Sequence, residues 1–167
     1  MATIVCLAVA TSCYCQADTI YWKPDNSLKW SDFKGTPDQH SPYLALSSAG
    51  ITYSVSYNNS STEYTVKAFF VMPKSWRKIN ADSNVLRHEQ LHFDITELFA
   101  RKLVKELSAI PIKKRTDQEY IIKMAEQVIA EKNKYQETYD RETKRGTNIP
   151  VQEQWQKLVM EQLKASE

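Results

Sequence analysis

The pattern of apolar residues changes near residue 80, and this change limits what the chain can fold into. Before it, residues 50–72 hold two runs in which apolar and polar side chains alternate, the period of a half-buried strand. A polar cluster at 58–62 separates the runs and indicates a turn, so an antiparallel hairpin is predicted. Two short strands are expected earlier, at 20–23 and 28–33.

After residue 80 the chain becomes helical. Asp82 is a typical N-cap, and no helix breaker follows it before Pro111. Between them, apolar residues recur at steps of three and four residues and form a stripe that should face a core. The stripe consists of Leu91, Ile95, Leu98, Phe99, Leu103 and Leu107.

A second helix is predicted from Thr116 and Glu119, which have the spacing of a capping box. It should run to about Arg145, where Gly146 is a typical C-terminal stop. Pro150 in a first turn predicts a third helix over 151–164. Its apolar residues are Trp155, Leu158 and Leu163. The chain is therefore expected to be α+β: a small antiparallel sheet from the N-terminal half, packed on three helices from the C-terminal half.

The first seventeen residues contain no charged side chain and end in small residues. All three cysteines lie here: Cys6, Cys13 and Cys15. Residues 1–17 are interpreted as a secretory signal peptide, too short for an ordinary membrane helix. Residues 18–167 would then form one exported domain, in the bacterial periplasm or outside the cell, with no stable membrane insertion. Lipoprotein cleavage between Ser12 and Cys13, or a buried N-terminal strand, are the alternatives.

The charge balance does not favour a nucleic-acid partner. The net charge is only +2, whereas a nucleic-acid-binding protein usually has a larger, clustered basic excess. One compact basic run, at 113–115, is interpreted as a solvated connector between two helices.

The motif HEQLH at 88–92 carries the predicted chemistry. On a helix, His88 and His92 leave the same face about one turn apart, so one tetrahedral zinc ion could accept a nitrogen from each. Glu89 is rotated by about 100° from His88 and could reach a water on the metal without being a ligand. Zinc lowers the pKa of bound water, and the glutamate takes its proton as general base.

A catalytic zinc site normally needs a third protein ligand. The metzincin continuation is excluded, because Ile95 and Leu98 stand where it requires glycine and histidine. Asp140 and Glu142, near the end of the second helix, are the better candidates. Glu97 is more typical of a surface charge.

His40 is the only other histidine, and it lies in a predicted loop. A lone loop histidine is usually exposed to solvent, so His40 is not expected to bind the metal.

Four blocks of sequence go beyond the zinc motif. They are HEQLHFDITELFARKL at 88–103, WSDFKG at 30–35, SW at 75–76, and YDRET with a following glycine within 139–146. Together they resemble a bacterial family of predicted secreted zinc-dependent proteases, a domain of unknown function with an HExxH motif. The resemblance covers about residues 20–160. It implies an exported protein with a zincin-like active helix and Glu89 as the catalytic residue.

One position departs from that family. Its last block typically reads YDxxTxHG, and the histidine is the natural third ligand, but this chain has Arg145 there. A guanidinium cannot bind zinc. Asp140, Glu142 or water would then complete the site, or tight metal binding has been lost. Arg145 could instead hold a carbonyl or carboxylate of the substrate.

Other residues in these blocks have two interpretations each. Tyr139 could donate a hydrogen bond to a developing oxyanion, or it is a packed aromatic. Asp32 is either a turn residue or an acceptor for a zinc-bound imidazole. The remaining aromatics should form core or cleft wall, and they are Trp30, Phe33 and Trp76.

The sequence therefore predicts a zinc metallopeptidase acting on a peptide or protein. Zn²⁺ would be held by His88, His92 and Asp140, with Glu89 and Tyr139 as catalytic residues. Two alternatives remain: a non-catalytic envelope binding protein, and a zinc hydrolase of a bond other than peptide, such as a cell-wall amide.

Overall fold

The computed structural model describes residues 18–58, 61–111 and 117–166. In this part of the chain, five strands precede three α-helices. The strands are β1 (Thr19–Tyr21), β2 (Ala45–Leu46), β3 (Ala49–Asn58), β4 (Ser61–Val71) and β5 (Trp76–Arg77). The helices are α1 (Ser83–Ser108), α2 (Gln118–Glu142) and α3 (Ile149–Ala165). The fold is α+β, as predicted. None of these helices has an apolar stretch long enough to cross a bilayer.

The predicted hairpin is the main part of the sheet. β3 and β4 pair antiparallel from Ala49 opposite Phe70 to Asn58 opposite Ser61. β1 pairs antiparallel with the other edge of β4, so the strand order is β1-β4-β3. β2 and β5 form a separate two-stranded antiparallel ribbon.

The prediction of a second early strand at 28–33 is wrong. Trp30–Asp32 forms a short 3-10 helix instead. The Asp32 carboxylate accepts the backbone N–H of Lys29 at 2.7 Å, and this local bond competes with strand pairing. Asp32 is therefore a turn residue and not an acceptor for an imidazole.

Both long helices begin at an aspartate. The Asp82 carboxylate accepts the backbone N–H groups of Asn84 and Val85, which confirms the predicted cap of α1. The N-cap of α2 is Asp117, whose carboxylate accepts from Tyr120 N–H. The cap predicted at Thr116 was one residue too early, and Thr116 itself lies outside the described residues.

The end of α2 is three residues earlier than predicted. Lys144, Arg145 and Gly146 follow it with φ values of 48°, 55° and 83°. The N–H of Arg145 donates to the carbonyl of Asp140 at 2.8 Å, and that of Lys144 to Arg141, which is a Schellman motif. Two consecutive non-glycine residues in the left-handed region cost about 1–3 kcal/mol each.

Helix α1 lies at the centre, packed on β4 on one side and on α2 and α3 on another. The predicted α1 stripe is buried except for Leu98, which is partly buried. Trp155, Val159 and Leu163 of α3 are buried. Leu158 has 43% of its surface exposed, because it lies off the side of the helix where these three residues recur at four-residue steps.

The N-terminal aromatics form a second apolar cluster against α1. The ring of Phe33 lies 5.2 Å from that of Phe70, which packs on Phe93. Trp76 is also buried, whereas Trp30 is only partly buried and has Arg77 over its face. The interpretation of these aromatics as core residues is confirmed for Phe33 and Trp76.

Candidate metal centre

The two histidines of the motif meet an aspartate from α2. His88 and His92 leave the same face of α1, as the four-residue spacing predicts. The Nε2 atoms lie 3.0 Å and 2.9 Å from Oδ1 of Asp140, and 3.2 Å from each other. These three residues form a group that could hold a metal ion. Of the two carboxylates considered for the third position, the fold brings Asp140 to the histidines.

Glu142 does not take part in this group. Its carboxylate accepts the indole N–H of Trp155 at 2.9 Å, so it packs against α3. His40 is exposed in its loop, as expected. Glu97 is not the exposed charge that was predicted: only 16% of its side chain is exposed, and it pairs with Arg101 at 2.8 Å.

The side-chain amide of Gln152 determines which ring nitrogen of His88 carries the hydrogen. Gln152 donates from Nε2 to the backbone carbonyl of Asn84 at 3.2 Å, which turns its Oε1 toward His88 Nδ1, also at 3.2 Å. Because Oε1 can only accept, Nδ1 carries the proton. In a neutral ring, Nε2 then presents a lone pair to the Asp140 carboxylate. Such an arrangement is favourable when a cation lies between the two atoms.

The electrostatics of the group also favour a cation. Burial works to raise the pKa of Asp140, but the imidazoles of His88 and His92 beside its carboxylate outweigh burial and hold this pKa well below its usual range. Burial works to lower the pKa of His92, but the Asp140 hydrogen bond and the charge of Glu89 outweigh it and raise this pKa. The site therefore keeps an ionised carboxylate beside two imidazoles.

Glu89 lies beside this group without belonging to it. Its residue surface is only 5% exposed, yet it lines the same cleft as His88, His92 and Asp140. No described residue donates a hydrogen bond to its carboxylate. Because Glu89 lines the cleft, its carboxylate can accept a hydrogen bond from a water molecule or a substrate beside the candidate metal group.

The ring of Tyr139 packs against both imidazoles. It is fully buried, and its ring stacks on His88 with centroids 4.6 Å apart and meets His92 edge-on at 5.1 Å. Its hydroxyl donates to the backbone carbonyl of His88 at 3.4 Å, and burial raises its pKa. The oxyanion role predicted for Tyr139 does not agree with this placement. Tyr139 is the packed aromatic of the alternative interpretation, and it holds the two imidazoles in place.

Three further residues position the group and were not predicted to do so. Gln152 orients His88, and Gln136 donates to the backbone carbonyl of His92 at 2.8 Å. Gly146 lies against His88: a Cβ on this glycine would be 3.0 Å from the Cβ of His88, and its φ of 83° disfavours other residues. Gly146 stands in one of the family-like blocks, but nothing in the sequence indicates the role of Gln152.

The group opens into a cleft of about 640 Å³. One wall comes from residues 42–47, including Tyr43 and β2. The opposite wall comes from α2 and the turn after it, with Lys144 and Arg145 at its end. The cleft is large enough for a segment of a few residues.

We expect Gln152→Met to weaken metal binding by about 10–100-fold, the usual effect of losing the hydrogen bond that orients a histidine ligand. Gln156→Met is the matched control, because Gln156 lies exposed on the same helix. Competition with a chelating indicator measures both affinities. Equal affinities in the two variants would show that Gln152 does not orient the ligand.

Comparison with known proteins gives one family. No curated protein and no solved structure matches the chain significantly. One family, described as "Bacterial protein of unknown function (DUF922)", matches residues 24–146. This region includes the HEQLH motif, Asp140 and Gly146, and it ends before α3 and Gln152. Since the match covers most of the chain, the protein belongs to this bacterial family of unknown function.

Proposed function

We propose that this protein is a zinc-dependent metallopeptidase, in which Zn²⁺ is held by His88, His92 and Asp140 and Glu89 is the general base. The observation that carries the proposal is the convergence of these three side chains beside Glu89 in an open cleft. Two imidazoles and one carboxylate, with access from solvent, are the ligand set of several catalytic zinc sites.

The chemistry and spacing of the ligands support zinc in particular. Imidazole nitrogens favour zinc and similar transition metals over magnesium and calcium, which prefer oxygen ligands. Tetrahedral zinc with bonds of about 2.0–2.2 Å separates its ligand atoms by roughly 3.3–3.5 Å. The three observed separations, 2.9 to 3.2 Å, are slightly shorter, so a small outward movement of the side chains would fit the ion.

The residues divide the proposed reaction between them. When bound, zinc supplies a Lewis acid that polarises a carbonyl and lowers the pKa of a water molecule toward neutrality. Glu89 would take a proton from the attacking water and then give it to the leaving nitrogen. Tyr139 and Gln152 keep His88 in place, so that the ligands do not reorganise during the reaction.

Arg145 had suggested a non-catalytic binding protein, because it stands where the resembling family has a histidine. Asp140 supplies a carboxylate oxygen as the third donor atom of the group, so the proposed metal site does not need a ligand from residue 145. Hydrolysis of another amide remains the second candidate, since the same groups would activate water for it. Export is part of the proposal and rests on the charge-free segment at 1–17. This segment lies outside the described residues.

The direct test is the metal content and activity of the purified protein. We expect about one zinc ion per chain by mass spectrometry, and cleavage of an unfolded protein such as casein that a chelator stops and zinc restores. A folded protein without measurable zinc affinity would favour a binding protein. Zinc-dependent cleavage of peptidoglycan with no cleavage of casein would favour the second candidate.

A further inference from the structure

A guanidinium that pairs with no carboxylate of the described residues lies in the cleft that contains the proposed zinc site. Arg145 lines this cleft, and its guanidinium carbon lies 4.5 Å from the centroid of the Tyr43 ring. No described carboxylate forms an ion pair with it. This distance is within the range of a cation–π contact, and an arginine held in this way can still donate its N–H groups to a further partner.

The backbone places Arg145 close to the metal group. Its N–H is bonded to the carbonyl of Asp140, and the next residue, Gly146, packs on His88. Lys144 and Arg145 both have positive φ, a conformation that non-glycine residues rarely adopt. Strained residues of this kind tend to be retained where the position of a side chain has a function.

The carboxylates that line the cleft have other proposed roles and do not account for Arg145. Asp140 belongs to the metal group, and Glu89 is assigned to proton transfer. Glu137 also lines the cleft, but Lys144 and Arg145 together outweigh its charge. Arginine binds a carboxylate through two parallel hydrogen bonds, which gives orientation as well as affinity.

We propose that Arg145 binds a carboxylate group of the substrate, so that the preferred substrates are peptides with a free C-terminal carboxylate or an acidic side chain near the cleaved bond. This inference rests on the proposed peptidase function for the identity of the substrate. The contact with the carboxylate itself does not require that cleavage occurs.

Binding of short peptides to the zinc-loaded Glu89→Gln protein tests the contact between Arg145 and a carboxylate separately from cleavage, because this variant should bind peptides without cleaving them. The probes are N-acetyl-tetraalanine as free acid and as C-terminal amide, and the same amide with one alanine replaced by glutamate. We expect a carboxylate, from either source, to bind at least about 10-fold more tightly than the plain amide by calorimetry. The two carboxylate probes distinguish a terminal from a side-chain source.

The tighter binding of the carboxylate probes should disappear when Arg145→Gln is added to the Glu89→Gln protein. It should partly remain with Arg145→Lys. Any attraction of the zinc ion itself for carboxylates persists in Arg145→Gln, so only the difference between proteins counts. Arg141→Gln is the matched control, with the same loss of charge outside the cleft. Equal preference in the Arg145→Gln and Arg141→Gln proteins, or no binding of any probe, overturns the inference. If the preference depends on Arg145 but casein is not cleaved, the proposed function fails and this inference stands.

Discussion

Replacing Glu89 by glutamine is expected to lower kcat/KM for peptide hydrolysis by about 10²–10⁴-fold, the range in which a positioned general base contributes. Glutamine has almost the same shape, but its amide cannot take a proton from water. Since Glu89 is not one of the three ligands, the zinc content should stay that of the wild type. Activity assays and metal analysis of the same preparation measure both quantities.

Thermal unfolding shows whether a loss of activity in Glu89→Gln has a structural cause. The substitution replaces a carboxylate that accepts no hydrogen bond from a described residue by an amide of almost the same shape, so we expect no loss of stability. Glu153→Gln makes the same chemical change on the exposed surface of α3 and should leave hydrolysis unchanged. Full activity in Glu89→Gln would remove Glu89 from the mechanism.

The local part of the site could be predicted from the sequence because the helix geometry fixes it. His88 and His92 share a face through their spacing alone, and Asp82 caps the helix through its own side chain. The hairpin was predictable for the same reason, since alternation of apolar residues depends only on neighbours in sequence.

The rest of the site depends on how separate elements pack. Asp140 and Glu142 are two residues apart and chemically alike, and only the rotation of α2 decides that one meets the histidines and the other meets Trp155. Gln152 reaches His88 across 64 positions of sequence. Tyr139 was given a chemical role because its burial could not be read from its neighbours, and the tertiary contacts make it a support for the imidazoles.

The strand predicted at 28–33 shows a further limit. It holds three apolar residues, but the backbone N–H of Leu28 donates to the side chain of Gln90 at 2.7 Å, and Asp32 accepts from the backbone N–H of Lys29. These side-chain bonds satisfy backbone groups that would otherwise need a neighbouring strand. A pattern of apolar residues alone does not indicate which partner the backbone finds.

Asp140→Ala is expected to weaken zinc binding by more than about 100-fold, which exceeds the usual effect of losing an outer hydrogen-bond partner. The variant removes one of three donor atoms and also a negative charge that would face the cation. Glu142→Ala is the matched control: it removes the same type of charge two residues away, but its carboxylate bonds to Trp155 and not to the imidazoles. Zinc affinity from chelator competition should therefore fall in Asp140→Ala and stay near the wild-type value in Glu142→Ala, although Glu142→Ala should lose some thermal stability with its hydrogen bond. The reverse order of affinities would move the third ligand to Glu142 and would require a different rotation of α2 from the one described.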